Sequence, residues 1–178
     1  MNEQNIIALQ KQQKTAQFLL LGTVITTVIN IVLLLANGSF GIPYSSAIAY
    51  YLTFLGFYFD SFVLGTYTAT GMVMGFVVLA AWLLIWWMSK KQVGWLIAGL
   101  VMVCVDTAFL ALFALVFLEN PGECLWEGLL HVVVIYQISI GIKAMKTLSQ
   151  PRQQPQSIPL YDPWEEETPA DSQYDDNF

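Results

Sequence analysis

Long apolar runs separated by short polar or turn-forming stretches organise this chain. The first run extends from Gln17 to Ala36, through Phe18 to Leu21, Val24, Ile25, Val28, Ile29 and Ile31 to Leu35. Asn37-Gly38-Ser39 breaks it, with Gly41 and Pro43 close behind, residue types that punctuate helices. A second run covers 67–88 and ends in Trp86-Trp87, an interfacial aromatic anchor, before Ser89-Lys90-Lys91. A third covers 93–118. Glu119-Asn120-Pro121-Gly122 follows it, and Pro-Gly at the centre suits a type II turn. A fourth covers 125–142 and meets Lys143 and Lys146. Each has the roughly 20 mostly apolar residues that a helix needs to cross a bilayer. The pattern predicts an all-α polytopic membrane protein: a bundle of four transmembrane helices within 17–148, preceded by a polar segment, 1–16. The first run exceeds the roughly 7–15 residues of a signal-peptide core, so an uncleaved anchor is expected.

The stretch 40–65 is also apolar, and is rich in Tyr50, Tyr51, Phe54, Phe57, Tyr58, Phe59 and Phe62. The positive-inside rule argues against a fifth crossing. With four spans, Lys11, Lys14, Lys90, Lys91, Lys143, Lys146 and Arg152 all fall on one side, while Asp60, Glu119 and Glu123 fall on the other. A span at 44–64 would separate Lys90 and Lys91 from Lys11 and Lys14. Residues 44–59 are therefore expected to form an interfacial or re-entrant aromatic helix on the outer face, where Tyr rings suit the headgroup region. Both termini are then cytoplasmic and the protein resides in the plasma membrane.

Composition agrees: of 178 residues, 56% are hydrophobic and 11% charged, far from the roughly one-quarter charged of a soluble domain. The net charge of −6 excludes a basic nucleic-acid binder, and two cysteines exclude a disulfide framework. Residues 1–151 carry six lysines and six acids, so the whole net charge belongs to 152–178, with Arg152 and seven acids. The segment 149–178, rich in Pro, Gln and acids, is expected to be disordered. Within it Tyr161-Asp162-Pro163-Trp164 resembles a short docking motif for a cytoplasmic protein partner; the plainer reading is a solvated acidic tail.

Asp106 is the sharpest candidate. Twelve residues from the end of the third run at Leu118, it lies near the bilayer centre. A carboxylate there costs roughly 2.5–3.5 kcal/mol on insertion scales and marks a functional or structural partner. Tyr136 and Gln137 on the fourth helix are expected at similar depth as hydrogen-bond partners, with no basic counter-ion. Asp106 is then either a neutral lock between helices or the titrating group of a proton or cation relay. Cys124, Glu127 and His131 fall on one stripe of the fourth helix, and all three residue types ligate zinc. The alternative is structural: Glu127 marks the wet helix end, where an acid suits the helix dipole, and His131, about 9 Å inside, bonds Asn30 of the first helix. Thr23, Thr26, Thr27 and Asn30 line one side of that helix and are expected to join helices together, and Gly71-x-x-x-Gly75 to let a neighbouring helix approach. No cofactor is indicated, since no nucleophile elbow, phosphate-binding loop or HExxH occurs.

Three passages together resemble a group of small four-span bacterial membrane proteins, frequent in Gram-positive anaerobes and without an assigned activity. They are Asn30-Ile31-Val32-Leu33-Leu34-Leu35-Ala36-Asn37-Gly38 with Pro43-Tyr44-Ser45-Ser46, Val105-Asp106-Thr107, and Leu130-His131-Val132-Val133-Val134-Ile135-Tyr136-Gln137 with Gly141-Ile142-Lys143-Ala144. The resemblance covers about residues 17–148 and implies a four-helix membrane protein.

Three functions stay open from the sequence. The first is a non-enzymatic membrane module binding a lipid or protein partner. The second is a small ion or solute transporter, a homo-oligomer using Asp106. The third is a metal-binding protein or enzyme using Glu127 and His131.

Overall fold

The computed structural model describes residues 2–36, 41–60, 67–117 and 124–150. These form five helices: α1 (Glu3–Leu35), α2 (Ala47–Asp60), α3 (Tyr67–Ser89), α4 (Val93–Phe117) and α5 (Leu125–Ser149). All but α2 are long and apolar enough to cross a membrane. The fold is therefore an all-α polytopic bundle, as the pattern of apolar runs required. The tail from residue 151 onward, including Tyr161, Asp162, Pro163 and Trp164, lies outside the described residues.

Two helices overrun the apolar segments that announced them. α1 starts at Glu3 rather than Gln17, because residues 3–16 are mostly Gln, Lys, Ala, Leu and Ile with no Gly or Pro, and nothing in them stops a helix. α5 continues past Ile142 to Ser149, and Gln150 then takes the extended conformation (φ −68°, ψ 131°) that a residue preceding proline favours. The two extensions lie side by side, with Gly141 against Ala16 and the Gln12 carbonyl.

The ends of the bundle are chemically unlike. Gln17 Nε2 donates to the Ser89 carbonyl at 3.1 Å, which fixes the α1 polar segment beside the α3–α4 turn. Lys11, Lys14, Lys90, Lys91, Lys143 and Lys146 thus gather at one end, called here the lysine end. There Lys90 Nζ sits 3.7 Å from the centre of the Trp86 ring, an ammonium over an aromatic face. The bundle exterior is apolar around its whole circumference, with Val73, Phe76 and Val77 on α3, Leu112 and Leu115 on α4, and Val132 on α5 exposed. Helices apolar on all sides belong in a bilayer. The interior holds Leu20, Trp82, Leu96, Val103 and Ile138, each almost fully buried.

The element that organises the fold is α2. It does not lie flat over the far end. Its first turn stands beside the middle of α4, and the helix climbs from there back to the far end. Relative to the other helices α2 thus runs from mid-bundle outward, the course that a re-entrant placement would require. α2 and α3 form an antiparallel hairpin whose backbones touch. A methyl at Gly56 would stand 2.6 Å from the Tyr67 carbonyl oxygen and 2.8 Å from the Gly71 Cα. Gly75 meets Ala49 and Thr53 in the same way. The glycines of the GxxxG pair thus serve a contact within the chain. Asp60 closes the hairpin: its carboxylate accepts from Thr68 Oγ1 at 2.6 Å and the Tyr67 amide at 3.4 Å, at the N-terminus of α3.

Gly56→Ala is expected to cost about 1–3 kcal/mol, the range for overpacking a tight contact. Gly22→Ala, on α1 with nothing within 4 Å, should be neutral or slightly stabilising. Thermal unfolding of the two purified variants checks this, and equal midpoints would contradict the close α2–α3 contact.

Candidate functional site

The chain reaches the middle of the bundle by descending along α1, and each step down is held by a polar side chain of that helix. Asn30 pairs with both backbone groups of Ile42. Its Nδ2 donates to the Ile42 carbonyl at 2.8 Å, and its Oδ1 accepts the Ile42 amide at 2.7 Å. Lower down, Tyr44 and Thr23 share a hydrogen bond of 2.5 Å. The Thr23 hydroxyl proton is committed to the Leu19 carbonyl at 3.0 Å, so Tyr44 is the donor. Thr27 spends its proton on the Thr23 carbonyl and accepts the Ser46 amide at 2.7 Å. Asn30 therefore binds Ile42, not His131 as the depth count suggested.

At the bottom of this descent stands Asp106, fully buried. It is thirteen residues from the start of α4 and eleven from its end. Oδ1 accepts from Ser46 Oγ and the Ile48 amide, both at 2.9 Å, and Oδ2 accepts the Ala47 amide at 2.9 Å. The carboxylate thus caps the N-terminus of α2 from a different helix. The first amides of a helix have no partner within it, and its N-terminus carries a partial positive charge. Both conditions are met here by one acid.

The fourth partner is His131, whose Nε2 lies 3.2 Å from Asp106 Oδ2. This corrects two expectations. The partner on α5 is neither Tyr136, which is 63% exposed on the outer surface, nor Gln137, which is half-buried a turn and a half further along. There is also a basic residue at the site. Proton counting defines the pair. His131 Nδ1 lies 2.8 Å from the Glu127 carbonyl, and a carbonyl only accepts, so Nδ1 carries a proton. Nε2 then faces a carboxylate oxygen, and one further proton must lie between them. The unit is either an imidazolium with a carboxylate or an imidazole with a carboxylic acid. Its net charge is zero in both forms, the condition a low-dielectric interior imposes.

Ser46 ties the site to α3. Its hydroxyl proton goes to Asp106, so its oxygen accepts Trp82 Nε1–H at 3.1 Å. No buried side-chain nitrogen or oxygen among the described residues lacks a partner. Toward the lysine end the site is closed by the buried Leu20, Val103 and Ile138. Toward the far end a cleft of about 260 Å³ is lined by Asn30, Ile42, Ser45, Tyr50, Tyr51, Trp126 and Glu127.

The stripe of Cys124, Glu127 and His131 is shared out among three partners. Cys124 Sγ lies 3.8 Å from the Tyr51 hydroxyl, Glu127 Oε1 accepts from Ser45 Oγ at 3.4 Å, and His131 serves Asp106. Among the described residues no three His, Cys, Asp or Glu side chains converge as metal ligands. The residues that sequence reasoning missed are Ser46, Thr27 as an acceptor, and Trp82. A signal existed for the first. Ser45-Ser46 before an apolar run is an N-cap pattern.

No family model, curated protein or solved structure matches the chain.

Asp106→Asn removes one acceptor oxygen and sets an amide N–H against backbone N–H groups. Breaking the pair costs about 3–5 kcal/mol where it is ionic, and each buried donor left unsatisfied costs about 1–3 kcal/mol. Hydrogen exchange of a peptide covering the start of α2 should accelerate at the Ala47 and Ile48 amides in the variant. Unchanged exchange would mean that Asp106 does not hold this turn.

Proposed function

We propose that the protein is a non-enzymatic membrane module whose bundle binds a lipid or protein partner, and that Asp106 is a lock rather than a relay. The observation that carries this reading is the filled coordination of Asp106. A carboxylate offers about four acceptor positions. Three are taken by Ser46, Ala47 and Ile48, and His131 faces the fourth. A relay group must exchange its proton with mobile partners on both sides, whereas packed Leu20, Val103 and Ile138 close one side. Such a lock fixes the shape of the far end, where a partner would meet the cleft and the first turns of α2 and α5.

Transport of a proton or small ion through Asp106 is the second reading. The shared proton of Asp106 and His131, with Glu127 one turn above them, favours it. The metal or enzyme reading has less support, because its three side chains have separate partners. The gathering of six lysines at one end supports an orientation with both termini cytoplasmic. The resemblance to small bacterial four-span proteins supports a bacterial plasma membrane. The pattern Tyr161-Asp162-Pro163-Trp164 supports a cytoplasmic protein partner, with a second copy of the chain as the other protein candidate.

In proteoliposomes under an imposed pH gradient, the wild-type protein is expected to give no proton flux above that of empty vesicles. A flux that Asp106→Asn abolishes in a still-folded protein would replace the module by the transporter.

A further inference from the structure

We propose that the cleft at the far end is a binding site for a small organic ammonium group, with Glu127 as its counter-ion and Tyr50, Tyr51 and Trp126 as its aromatic wall. The inference rests on the reading of the bundle as a binding module and names what that module takes.

The cleft holds an under-used carboxylate. Glu127 stands in the first turn of α5, half-buried, at the cleft's edge. The hydrogen bond that the described residues give its carboxylate is one long contact, 3.4 Å, from Ser45 Oγ. Asp106, a turn below, has all of its acceptor positions engaged. Glu127 thus keeps most of its roughly four acceptor positions for something in the cleft. That something is cationic, and the described protein does not supply it. Among the described residues no lysine or arginine lines the cleft, and His131 is committed to Asp106.

The walls select the kind of cation. Tyr50, Tyr51 and Trp126 line the same cleft, Trp126 largely exposed at its rim, and aromatic rings attract ammonium groups. Tyr51 is held in place by stacking on Phe113, with ring centres 3.9 Å apart, so that part of the wall is rigid. A divalent metal needs several oxygen, nitrogen or sulfur ligands at about 2.0–2.6 Å, and among the described residues no three metal-ligating acid, His or Cys side chains converge. One carboxylate amid aromatic rings suits instead a diffuse charge with an apolar shell. The volume, about 260 Å³, lies just below the roughly 300–1,000 Å³ of pockets for drug-sized ligands, which fits a headgroup-sized ammonium. The same chemistry occurs in the ethanolamine or choline headgroup of a phospholipid and in a free amine in solution.

The test uses the full chain in nanodiscs of phosphatidylglycerol alone, which carries no ammonium group, with choline as probe. Choline is expected to raise the thermal midpoint and to change tryptophan fluorescence saturably. Losing one charge-assisted contact weakens binding by about tenfold or more, so Glu127→Gln should shift the choline titration by at least that factor while melting cooperatively. Trp126→Leu should weaken it by a smaller factor. In nanodiscs containing phosphatidylethanolamine, loss of the choline response identifies the lipid headgroup as occupant, and an undiminished response identifies a free amine. The proposal is overturned if choline gives no response in phosphatidylglycerol discs, if Glu127→Gln binds choline as the wild type does, or if magnesium reproduces the effect. Uptake of choline into proteoliposomes would leave the ammonium site standing and overturn the binding-module reading instead.

Discussion

A helix that begins inside a membrane protein creates a debt of unpaired amides, and an acid in the same place creates a debt of unpaired oxygens. In this chain each cancels the other. The Asp106 carboxylate takes the Ala47 and Ile48 amides and the Ser46 hydroxyl. Without the acid, the first turn of α2 would present amides with no water to bond, at a cost of several kcal/mol for each group in hydrocarbon. Without α2, the acid would be a buried carboxylate facing one imidazole. Neither feature is tolerable alone at that depth, which makes the pair the constraint on which the fold depends. The descent of 41–46 along α1, the α2–α3 hairpin and the cleft above Glu127 all follow from where α2 starts.

The same rule extends beyond Asp106. Each described acid stands at the N-terminus of a helix: Glu3 in the first turn of α1, Asp60 at the start of α3, Asp106 at the start of α2 and Glu127 in the first turn of α5. The lysines gather at the opposite end from Asp60 and Glu127. Charge in a chain this apolar is placed where a helix dipole or a bilayer surface compensates it. Glu127 differs from Asp60 and Asp106 in that its carboxylate is left largely unbonded by the described residues, and that difference makes its cleft the place where an external ligand would add most.

The spans were legible because four apolar runs of membrane-crossing length need only counting. The depth of Asp106 was legible for the same reason, and so was its need for a partner. The partner's identity was not. Counting depth from helix ends assumes that all helices end in one plane, but eleven residues separate Asp106 from the end of α4 and only six separate His131 from the start of α5. The difference in rise, about 7 Å, brings His131 level with Asp106 and carries Tyr136 past it. The role of Ser46 was hidden for another reason. A serine before an apolar run reads as an ordinary N-cap, and only the tertiary arrangement reveals that its helix starts at mid-bundle. The polar face of α1 was read as holding helices together, whereas Asn30, Thr23 and Thr27 hold an irregular segment for which a periodicity argument has no template.

α2 starts in the middle of the bundle and is anchored there by Asp106, which predicts a start near the bilayer centre. Electron paramagnetic resonance of nitroxides attached at Ile48→Cys and Tyr58→Cys, in a background lacking the native cysteines and reconstituted in bilayers, measures this directly. The label at 48 is expected near the bilayer centre, relaxed by oxygen and shielded from a water-soluble nickel reagent, and the label at 58 at headgroup depth. Equal, shallow depths at both positions would place α2 flat on the membrane surface and contradict the account.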